Sequence, residues 1–320
     1  MGGQPRIDDL TAAAHEHVAC GLRCSMSIST ALDRIADTGR LDTFVTPLSN
    51  LVNRLLRPQA LKDVLHGVWL GHPVHPPLAQ VPLGAWMSAG VLDVLPGHSK
   101  EAQLLIGTGI AAAVPTALTG AADWSEADVG QKRVGVVHAV MNSVALALYV
   151  ASFLARVRGN HGRGRGLAFA GLGVATASAA IGGHLAYSQT AGASHASTAA
   201  RAVSQDWIDL GLLDDLPEGE AVLRVSTDSD DRPAPLCVLR RGGQAQVLVD
   251  VCSHLGGPLH SGKLVDVDGT DCLVCPWHGS TFAITDGHVV RGPAVAPATV
   301  LSTRVSDGRL QARLPERHLN

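Results

Sequence analysis

The sequence predicts a multi-domain protein, in which an all-α four-helix transmembrane bundle is followed by a small all-β domain. Two observations lead to this prediction. Residues 78–187 contain four long apolar stretches, and from about residue 206 onward short β-type runs alternate with turn residues. The chain has 320 residues, 46% of them hydrophobic and only 17% charged, which is below the usual charged share of about 25%. This length is enough for two or three domains.

The four apolar stretches have the length of membrane-spanning helices. They cover residues 78–95, 102–122, 134–154 and 167–187, and about 20 apolar residues cross the hydrocarbon core of a bilayer as a helix. The last three contain no Asp, Glu, Lys or Arg, whereas the first is shorter and carries Asp93. The short polar breaks between the stretches favour antiparallel neighbours, and hence an up-down bundle. A buried soluble bundle is the alternative, and three consecutive uncharged runs argue against it.

The segments on either side of the apolar region have a different character. Apolar residues from Leu41 to Leu56 recur at helical spacing, which predicts an amphipathic helix broken or started near Pro47. Such a helix either packs on its own protein or lies on the membrane surface. The predicted divisions are a soluble or amphipathic helical segment at 1–63, the four-span domain at 64–190, a small and polar linker at 191–205, and the β domain at 206–320.

The β domain is predicted from its punctuation. Its β-type runs lie at 223–225, 236–239, 246–250, 273–275, 289–290, 300–305 and 310–314. The turn pairs between them are Gly242-Gly243, Asp268-Gly269, Asp286-Gly287 and Asp307-Gly308. Pairs of this kind are typical of tight hairpins, and many short strands separated by them indicate an all-β domain.

Two Cys–His pairs in the β domain have the composition of a metal site. Cys252-Ser-His254 and Cys275-Pro-Trp-His278 form the pattern C-x-H-x20-C-x2-H. Two thiolates and two imidazoles suit tetrahedral zinc, or a two-iron, two-sulfide cluster with Cys on one iron and His on the other. Zinc fingers usually pair Cys with Cys and His with His, whereas each half-site here contains one Cys and one His.

The sequences around these pairs resemble the cluster-binding loops of Rieske proteins. The two loops are CSHLGGPL at 252–259 and CPWHGSTF at 275–282. A third segment, GHVVRGPAVAP at 287–297, resembles the proline-containing loop that shields the cluster in that family. The resemblance covers about 214–315 and implies an all-β Rieske-type domain with a [2Fe-2S] cluster.

The resemblance also implies a role for each residue of the site. Cys252 and Cys275 would hold one iron, and His254 and His278 would hold the other, solvent-facing iron. Ser280 matches the family serine that hydrogen-bonds a bridging sulfide. Such bonds stabilise the reduced cluster and raise its potential.

Two departures point to the low-potential branch of that family. The quinol-oxidising members carry an extra, disulfide-linked Cys in each loop, and those places are Gly257 and Trp277 here. They also have a Tyr where this chain has Phe282, so that a hydrogen bond to a cysteine ligand is missing. Both losses should lower the potential, and the loops are therefore more similar to the ferredoxin and oxygenase type.

The membrane part resembles a second family. The segments concerned are LHGVWLGHPVHPPLAQVPLGAW at 65–86, TGAADW at 119–124, RVGVVHAVMNSVAL at 133–146 and IGGHLAY at 181–187. Together they resemble an uncharacterised family of four-helix bacterial membrane proteins, some of which are fused to a Rieske domain. The resemblance covers about 60–190 and implies a fold without a function.

An up-down path brings several ionisable residues of this part to one membrane face. They are His72, His75, Asp123, His138 and His184. Ionisable residues at membrane depth are functional candidates, and bundle interiors commonly host haem or metal sites. Three interpretations stay open: a haem b held by two of His75, His138 and His184, a quinone or other small-molecule pocket, or interfacial histidines that bond Asp123 or the backbone.

We therefore expect a membrane-anchored Rieske iron–sulfur protein that carries single electrons between a reductase or membrane redox group and an acceptor. The alternatives are a membrane-bound redox sensor and a ferredoxin-like component of an oxygenase system. Only about five residues follow the β domain, which leaves no room for a mononuclear iron site, so an electron-transfer component is expected rather than a complete enzyme. The expected partners are membrane lipid and a soluble reductase, and a net charge of −3 gives no support to nucleic-acid binding.

The expected location is the bacterial cell membrane, with the termini and the Rieske domain in the cytoplasm. The basic residues that flank the termini side are Arg54, Arg57, Lys62, Lys132, Arg133 and Arg201. Those that flank the other side are Lys100, Arg156, Arg158, Arg163 and Arg165. The two sides thus have almost equal numbers of basic residues, so the positive-inside rule does not choose between them. The expected cytoplasmic location rests on the lack of a signal peptide and of a twin-arginine pair.

Overall fold

The computed structural model describes residues 28–227 and 233–315 of the chain. The first part of the predicted segment 1–63 therefore lies outside the described residues. The α-helices of the described part are α1 (Ile28–Ala36), α2 (Asp42–Leu55), α3 (Gln59–His66), α4 (His75–Val94), α5 (Ser99–Ser125), α6 (Val129–Val157), α7 (His161–Tyr187) and α8 (Ser197–Arg201). They precede an all-β region, so the predicted order of a helical part and a β part is confirmed.

Helices α4 to α7 form an up-down bundle made of two hairpins. The pairs α4–α5 and α6–α7 pack along their whole length, whereas the two hairpins touch each other much less. Helices α5, α6 and α7 are long and apolar enough to cross a membrane by length and composition. Helix α4 does not meet that test, because its 20 residues include His75, Gln80, Asp93 and several prolines. Three spans of the predicted four are therefore supported by this criterion.

The long helices begin where side chains can satisfy their first backbone N–H groups. Asp128 accepts a hydrogen bond from the backbone N–H of Gln131, and the Gln131 side chain accepts one from the N–H of Asp128, which completes a capping box before α6. Asn160 caps α7 by accepting from the N–H of Arg163. These caps fix the short turns that the polar breaks in the sequence predict.

The prediction of a helix broken or started at Pro47 is wrong, because α2 runs from Asp42 through Pro47 to Leu55. Proline lacks the N–H that would bond the carbonyl four residues earlier, but the helix is held from outside. The Arg133 guanidinium of α6 donates two hydrogen bonds to the Asp42 carboxylate, of 2.7 and 2.8 Å, and one to the Ala36 carbonyl. Contacts with α5 and α6 complete the attachment.

In the described part of the β region, residues 206–227 and 233–315, ten short strands form three antiparallel sheets. The strands are β1 (Ile208–Leu212), β2 (Ala221–Thr227), β3 (Pro233–Arg241), β4 (Gln244–Val249), β5 (Lys263–Val267), β6 (Thr270–Val274), β7 (Thr281–Ala283), β8 (Val289–Arg291), β9 (Ser302–Ser306) and β10 (Arg309–Arg313). The sheets have the orders β1-β10-β9, β2-β3-β4 and β5-β6-β7-β8. The predicted runs fall within or beside seven of these strands, whereas β1, β5 and β7 were not predicted.

Three of the predicted turn pairs are hairpin turns in the structure. Asp268 and Gly269 join β5 to β6 with φ of 53° and 83°, and Asp307 and Gly308 join β9 to β10 with φ of 51° and 75°. The Gly242-Gly243 pair joins β3 to β4 in the same way. Positive φ at both central residues is the geometry of the two-residue turns that suit strand twist.

The described part of the β domain contains two apolar clusters, and the second of them contains the two predicted cysteine ligands. Cys252 and Cys275 are buried beside Leu259, Leu273 and Phe282. The first cluster lies between the other two sheets. The thiols thus belong to the packed interior of the domain rather than to its surface.

The β domain rests on the end of the bundle where α5 ends and α6 begins. The backbone N–H of Gly292 donates a 2.8 Å hydrogen bond to Asp63 of α3, and the N–H of His195 donates one of 3.0 Å to the Ser253 carbonyl. The segment predicted as a linker contains the short helix α8, with Ala200 and Val203 buried against the first β cluster. Both domains are therefore in direct contact.

Candidate metal centre

Two loops with the same hydrogen-bond pattern carry the predicted ligands. One follows β4 and the other follows β6. In each loop the cysteine N–H donates to the carbonyl five residues later and the cysteine carbonyl accepts from the N–H four residues later. These bonds join Cys252 to Gly257 (2.8 Å) and Gly256 (2.9 Å), and Cys275 to Ser280 (2.8 Å) and Gly279 (3.1 Å). Gly256 and Gly279 have φ of 78° and 76°, which glycine adopts without steric cost.

The two thiols meet in the interior of the domain. Cys252 and Cys275 are 1% and 2% exposed, and their side chains are hydrogen-bonded to each other. That bond, together with hydrogen bonds from the backbone N–H groups of Trp277 and His278, lowers the pKa of Cys275 to about 6. The same bond, together with burial, raises the pKa of Cys252. The pair is therefore placed to bind one metal ion through both sulfur atoms, since the thiolate is the ligating form.

The two imidazoles form a second pair. The ring centroids of His254 and His278 are 5.0 Å apart with the planes at 84°. Burial, followed by the charges of His278, His66 and His195, lowers the pKa of His254 to about 3, so that its ring is neutral as a metal ligand must be. Nδ1 of His254 is buried and has no hydrogen-bond partner among the described residues. A buried ring nitrogen without a partner is costly, and a metal ion at that nitrogen would remove the cost.

Ser280 and Gly257 complete the wall around the thiols. The Ser280 hydroxyl is buried, accepts a 2.9 Å hydrogen bond from the Ala294 N–H, and bonds the Cys252 thiol, which favours its thiolate form. A Cβ at Gly257 would lie 2.9 Å from Sγ of Cys275 and 3.0 Å from the Trp277 ring. Only glycine fits at this position without a shift of the loop.

The donor set fits a two-iron cluster better than a single ion. The thiols and the imidazoles form two separate pairs, as the irons of such a cluster require. Within the described ranges, no three His, Cys, Asp or Glu side chains are grouped so as to hold one metal ion. A tetrahedral zinc site would need four ligands around one point.

The bundle residues predicted to share one face do lie at one end, but they do not form one cluster. Asp123 accepts a 2.8 Å hydrogen bond from Nδ1 of His66 in α3. His184 is buried, with Nε2 3.2 Å from the Asp33 carboxylate of α1. His72 is exposed, with Nδ1 bonded to a neighbouring backbone carbonyl. Helices α1 and α3 thus occupy two of the predicted ligands.

His75 and His138 are held differently, by backbone. Nδ1 of His75 donates to the Thr116 carbonyl over 2.9 Å, and Nδ1 of His138 donates to the Ser178 carbonyl over 2.9 Å. Both rings are half-buried. In the predicted set, His75 and His138 are thus the two histidines whose Nδ1 is held by a backbone carbonyl of the neighbouring long helix.

Four residues that the sequence did not identify as site residues act electrostatically on the imidazole pair. His66 and His195 act electrostatically on His254, and Glu126 and Lys132 act on His278. His66 is only 2% exposed, and its Nε2 has no partner among the described residues. Its place in the sequence, nine residues before His75 in the histidine-rich segment, is the one signal that could have identified it.

Comparison with known families agrees with this geometry. Residues 206–306 match the family model described as Rieske [2Fe-2S] domain. The C-terminal region is a Rieske domain. Residues 71–202 match the model described as Predicted membrane protein (DUF2231). The chain thus fuses this membrane domain to a C-terminal Rieske domain, which supports a [2Fe-2S] cluster, an iron–sulfur electron-transfer role and a membrane location.

Individual relatives match about a quarter to a third of the chain. A Rieske domain-containing protein of Homo sapiens is 32% identical over 78 residues, which are 24% of this chain and 46% of the relative. The cytochrome b6-f complex iron-sulfur subunit of Chlorobaculum tepidum is 26% identical over 101 residues, 32% of this chain and 50% of that one. The solved ferredoxin of carbazole 1,9a-dioxygenase from Nocardioides aromaticivorans IC177 is 21% identical with a TM-score of 0.30, and the match covers 34% of this chain and 98% of the ferredoxin. The chain spans about half the length of the curated relatives it matches.

Proposed function

We propose that this protein is a membrane-anchored electron carrier, in which Cys252, His254, Cys275 and His278 hold the [2Fe-2S] cluster. The observation that carries the proposal is the pair of buried thiols beside a pair of neutral imidazoles, in two loops with the same backbone pattern. A bound cluster of this type takes up and releases one electron at a time. This role is that of a component of an oxidoreductase system.

The residues around the thiols set the reduction potential. Ser280 donates a hydrogen bond toward the sulfur ligands, which favours the reduced form. Phe282 is fully buried beside them and brings no hydroxyl, and the four cysteines of the described part are free thiols. We expect a potential below that of the quinol-oxidising members, since neither the tyrosine hydrogen bond nor the loop disulfide is available.

The imidazole pair faces the membrane domain. His254 lies near His66 of α3, and His278 lies near Glu126 and Lys132 at the α5–α6 turn. Electrons would therefore enter or leave at the end of the bundle, from a soluble reductase or from a redox group in the membrane. A haem b or a quinone held by the bundle histidines would give the cluster such a partner within the same chain.

Helix α4 is proposed as the fourth span. Its 20 residues extend about 30 Å at 1.5 Å per residue, which matches the hydrocarbon core of a bilayer. It packs against α5 and α7, and four of its large apolar side chains are exposed. These are Val81, Met87, Val91 and Val94.

Helix α2 is proposed to lie against lipid. Phe44, Leu48, Leu51 and Leu55 recur at helical spacing and are between 41% and 69% exposed. Leu48 also lines an apolar groove with Val136, Val140 and Val144 of α6. An exposed apolar stripe continuous with a membrane-spanning helix favours the membrane-surface interpretation of this segment. We further propose that the termini and the Rieske domain lie in the cytoplasm.

The cluster is tested on full-length protein purified in detergent. We expect about two non-haem irons and two acid-labile sulfides per chain, the count of one [2Fe-2S] cluster, and a Rieske-type EPR signal after reduction. Cys252→Ser and His278→Ala should lose or alter the signal. Cys272→Ser is the matched control, because this buried thiol lies three residues before Cys275 and bonds the Thr270 carbonyl instead. Bound zinc without iron and sulfide would refute the proposal.

A further inference from the structure

An internal repeat relates the two hairpins of the bundle. Equivalent positions lie 63 residues apart on α4 and α6, and 62 residues apart on α5 and α7. The equivalent pairs are His75 and His138, Trp86 and Tyr149, Asp93 and Arg156, Gly109 and Gly171, Thr116 and Ser178, and Gly120 and Gly182. In each hairpin the aromatic ring and the imidazole of the first helix lie against a glycine of the second helix.

Two of these pairs meet across the centre of the bundle. Asp93 and Arg156 form an ion pair of 2.5 and 2.8 Å with both side chains buried. The rings of Trp86 and Tyr149 are stacked, with centroids 4.1 Å apart and planes at 12°. Helices α4 and α6 therefore face each other diagonally, and each central layer is filled by one side chain from each helix.

His75 and His138 are the equivalent pair at a third layer of the repeat. Each lies 11 residues before the aromatic residue of its helix, which is about three turns, or about 16 Å, along the same face. A Cβ at Gly120 would be 2.7 Å from His75, and one at Gly182 would be 3.1 Å from His138. The two imidazoles lie within electrostatic range of each other, but in the described part of the chain neither stacks on the other.

The hydrogen bonds prepare both imidazoles as ligands. Because Nδ1 of each ring donates to a backbone carbonyl, the lone pair is on Nε2. This is how proteins fix the tautomer and orientation of a metal-ligating histidine. Nε2 of His138 accepts from the exposed Asn142 amide at 3.0 Å, which agrees with that tautomer, and Asn142 can turn away toward the surface.

We propose that His75 and His138 are the two axial ligands of one haem b, bound at the seam between the hairpins. Among the described residues no third His, Cys, Asp or Glu joins them to hold an ion. A metal at this place must therefore bring its remaining ligands with it, as the four nitrogens of a porphyrin do. Histidine is a common axial ligand of haem iron, and the two hairpins contact each other less than the two helices of each hairpin do.

The site lies at the end of the bundle that carries the Rieske domain. Gly120, against which His75 rests, is three residues before Asp123, and Asp123 bonds the His66 that acts on His254. Haem binding itself is independent of the cluster. Its use as the electron partner of the cluster rests on the proposed function.

The test is optical spectroscopy of full-length protein, produced with a haem precursor and purified in detergent, followed by titration with haemin. We expect one haem per chain, a b-type absorption spectrum and the low-spin EPR signal of two imidazole ligands. His75→Ala and His138→Ala should each lose most of the bound haem or the low-spin signal, while the Rieske EPR signal persists and reports an intact fold. Gly120→Ala should reduce haem content, because the new methyl group displaces His75.

Matched controls separate ligation from general damage. Gly84→Ala in α4 and Gly173→Ala in α7 add a methyl group where nothing lies within 4 Å, and His184→Ala removes a histidine already paired with Asp33. All three should keep the haem. Failure of the wild-type protein to bind haemin at one per chain would overturn the proposal, and so would full haem content in both histidine variants. Binding of a quinone without haem would likewise overturn it. Haem content and iron–sulfide content are measured separately, so a protein that lacks one cofactor can still be tested for the other.

Discussion

At the scale of the residue, the Ser280 hydroxyl bonds both a backbone N–H and a cysteine sulfur, and through the sulfur it acts on the reduction potential of the proposed cluster. It is fully buried, its oxygen accepts from the Ala294 N–H, and its proton is directed to the Cys252 sulfur. Hydrogen bonds to ligand sulfur stabilise the more negative, reduced cluster. The loop around residue 294 therefore holds Ser280 in the orientation in which it acts.

Ser280→Ala should lower the reduction potential of the cluster, because the reduced state loses a hydrogen bond while the four ligands stay in place. Protein-film voltammetry measures the shift. Ser302→Ala in β9 is the control, since that residue lies in the sheet that does not contain the loops. An unchanged potential in Ser280→Ala would show that its hydroxyl does not reach the sulfur atoms.

At the scale of the element, α4 and α6 are joined by a buried ion pair. Asp93 and Arg156 are each 1% exposed in their side chains. Removing one partner leaves the other charge buried without compensation, which costs about 3–5 kcal/mol. Asp93→Asn should therefore lower the unfolding free energy by about that amount, as measured by unfolding in detergent.

The exchange of both residues is the control for that measurement. Asp93→Arg combined with Arg156→Asp keeps one charge of each sign in the same layer and should recover much of the loss. Equal stability of Asp93→Asn and the wild type would contradict the account of the ion pair.

The apolar stripe of α2 gives a second prediction at this scale. A photoreactive phenylalanine analogue in place of Phe44 should crosslink to phospholipid, because this side chain is 68% exposed beside the lipid-facing surface. The same analogue at Asn50, an exposed polar position of α2, should crosslink much less. Crosslinks from Phe44 to protein alone would show that another chain covers the stripe.

Some parts of the molecule can be predicted from the sequence, and others cannot. The residues proposed to hold the cluster are predictable because each pair lies within one short loop with a fixed pattern. The hairpin turns are predictable because their residues need positive φ. The hydrogen-bond and ion-pair partners of Asp123 and His184 cannot be predicted from the sequence, because His66 and Asp33 lie in helices far away along the chain. The repeat is hard to see in the sequence because two of its central pairs, Trp86 with Tyr149 and Asp93 with Arg156, hold different residue types. Strand β7 is hard to predict because it has only three residues.

At the scale of the whole molecule, the contact between the domains fixes where electrons can pass. The Rieske domain is bound to the bundle through Gly292 and Asp63 and through the segment that contains α8. The side of the membrane on which the domain lies therefore decides which soluble partners can reach it.

We expect that side to be the cytoplasm. A fluorescent protein fused after Asn320 should fluoresce, because it folds in the cytoplasm, and an alkaline phosphatase fusion at the same point should be inactive. A fusion within the α6–α7 turn, after Asn160, should give the opposite result. Active phosphatase after Asn320 would reverse the orientation and make the basic α6–α7 turn the cytoplasmic one.

Because both hairpins belong to one chain, different residues can face each other in the centre of the bundle, which two identical hairpins could not achieve. A symmetric dimer of one hairpin would set like against like at its centre, two aspartates or two arginines, and neither pair is stable when buried. Fusion in one chain lets each half supply a different member of the pair, so opposite charges and unlike rings can meet on the axis. At the third layer both halves have histidine, His75 and His138, although a fused chain could have different residues there. Two identical side chains at equivalent positions of α4 and α6 are what a ligand with two equivalent faces would require.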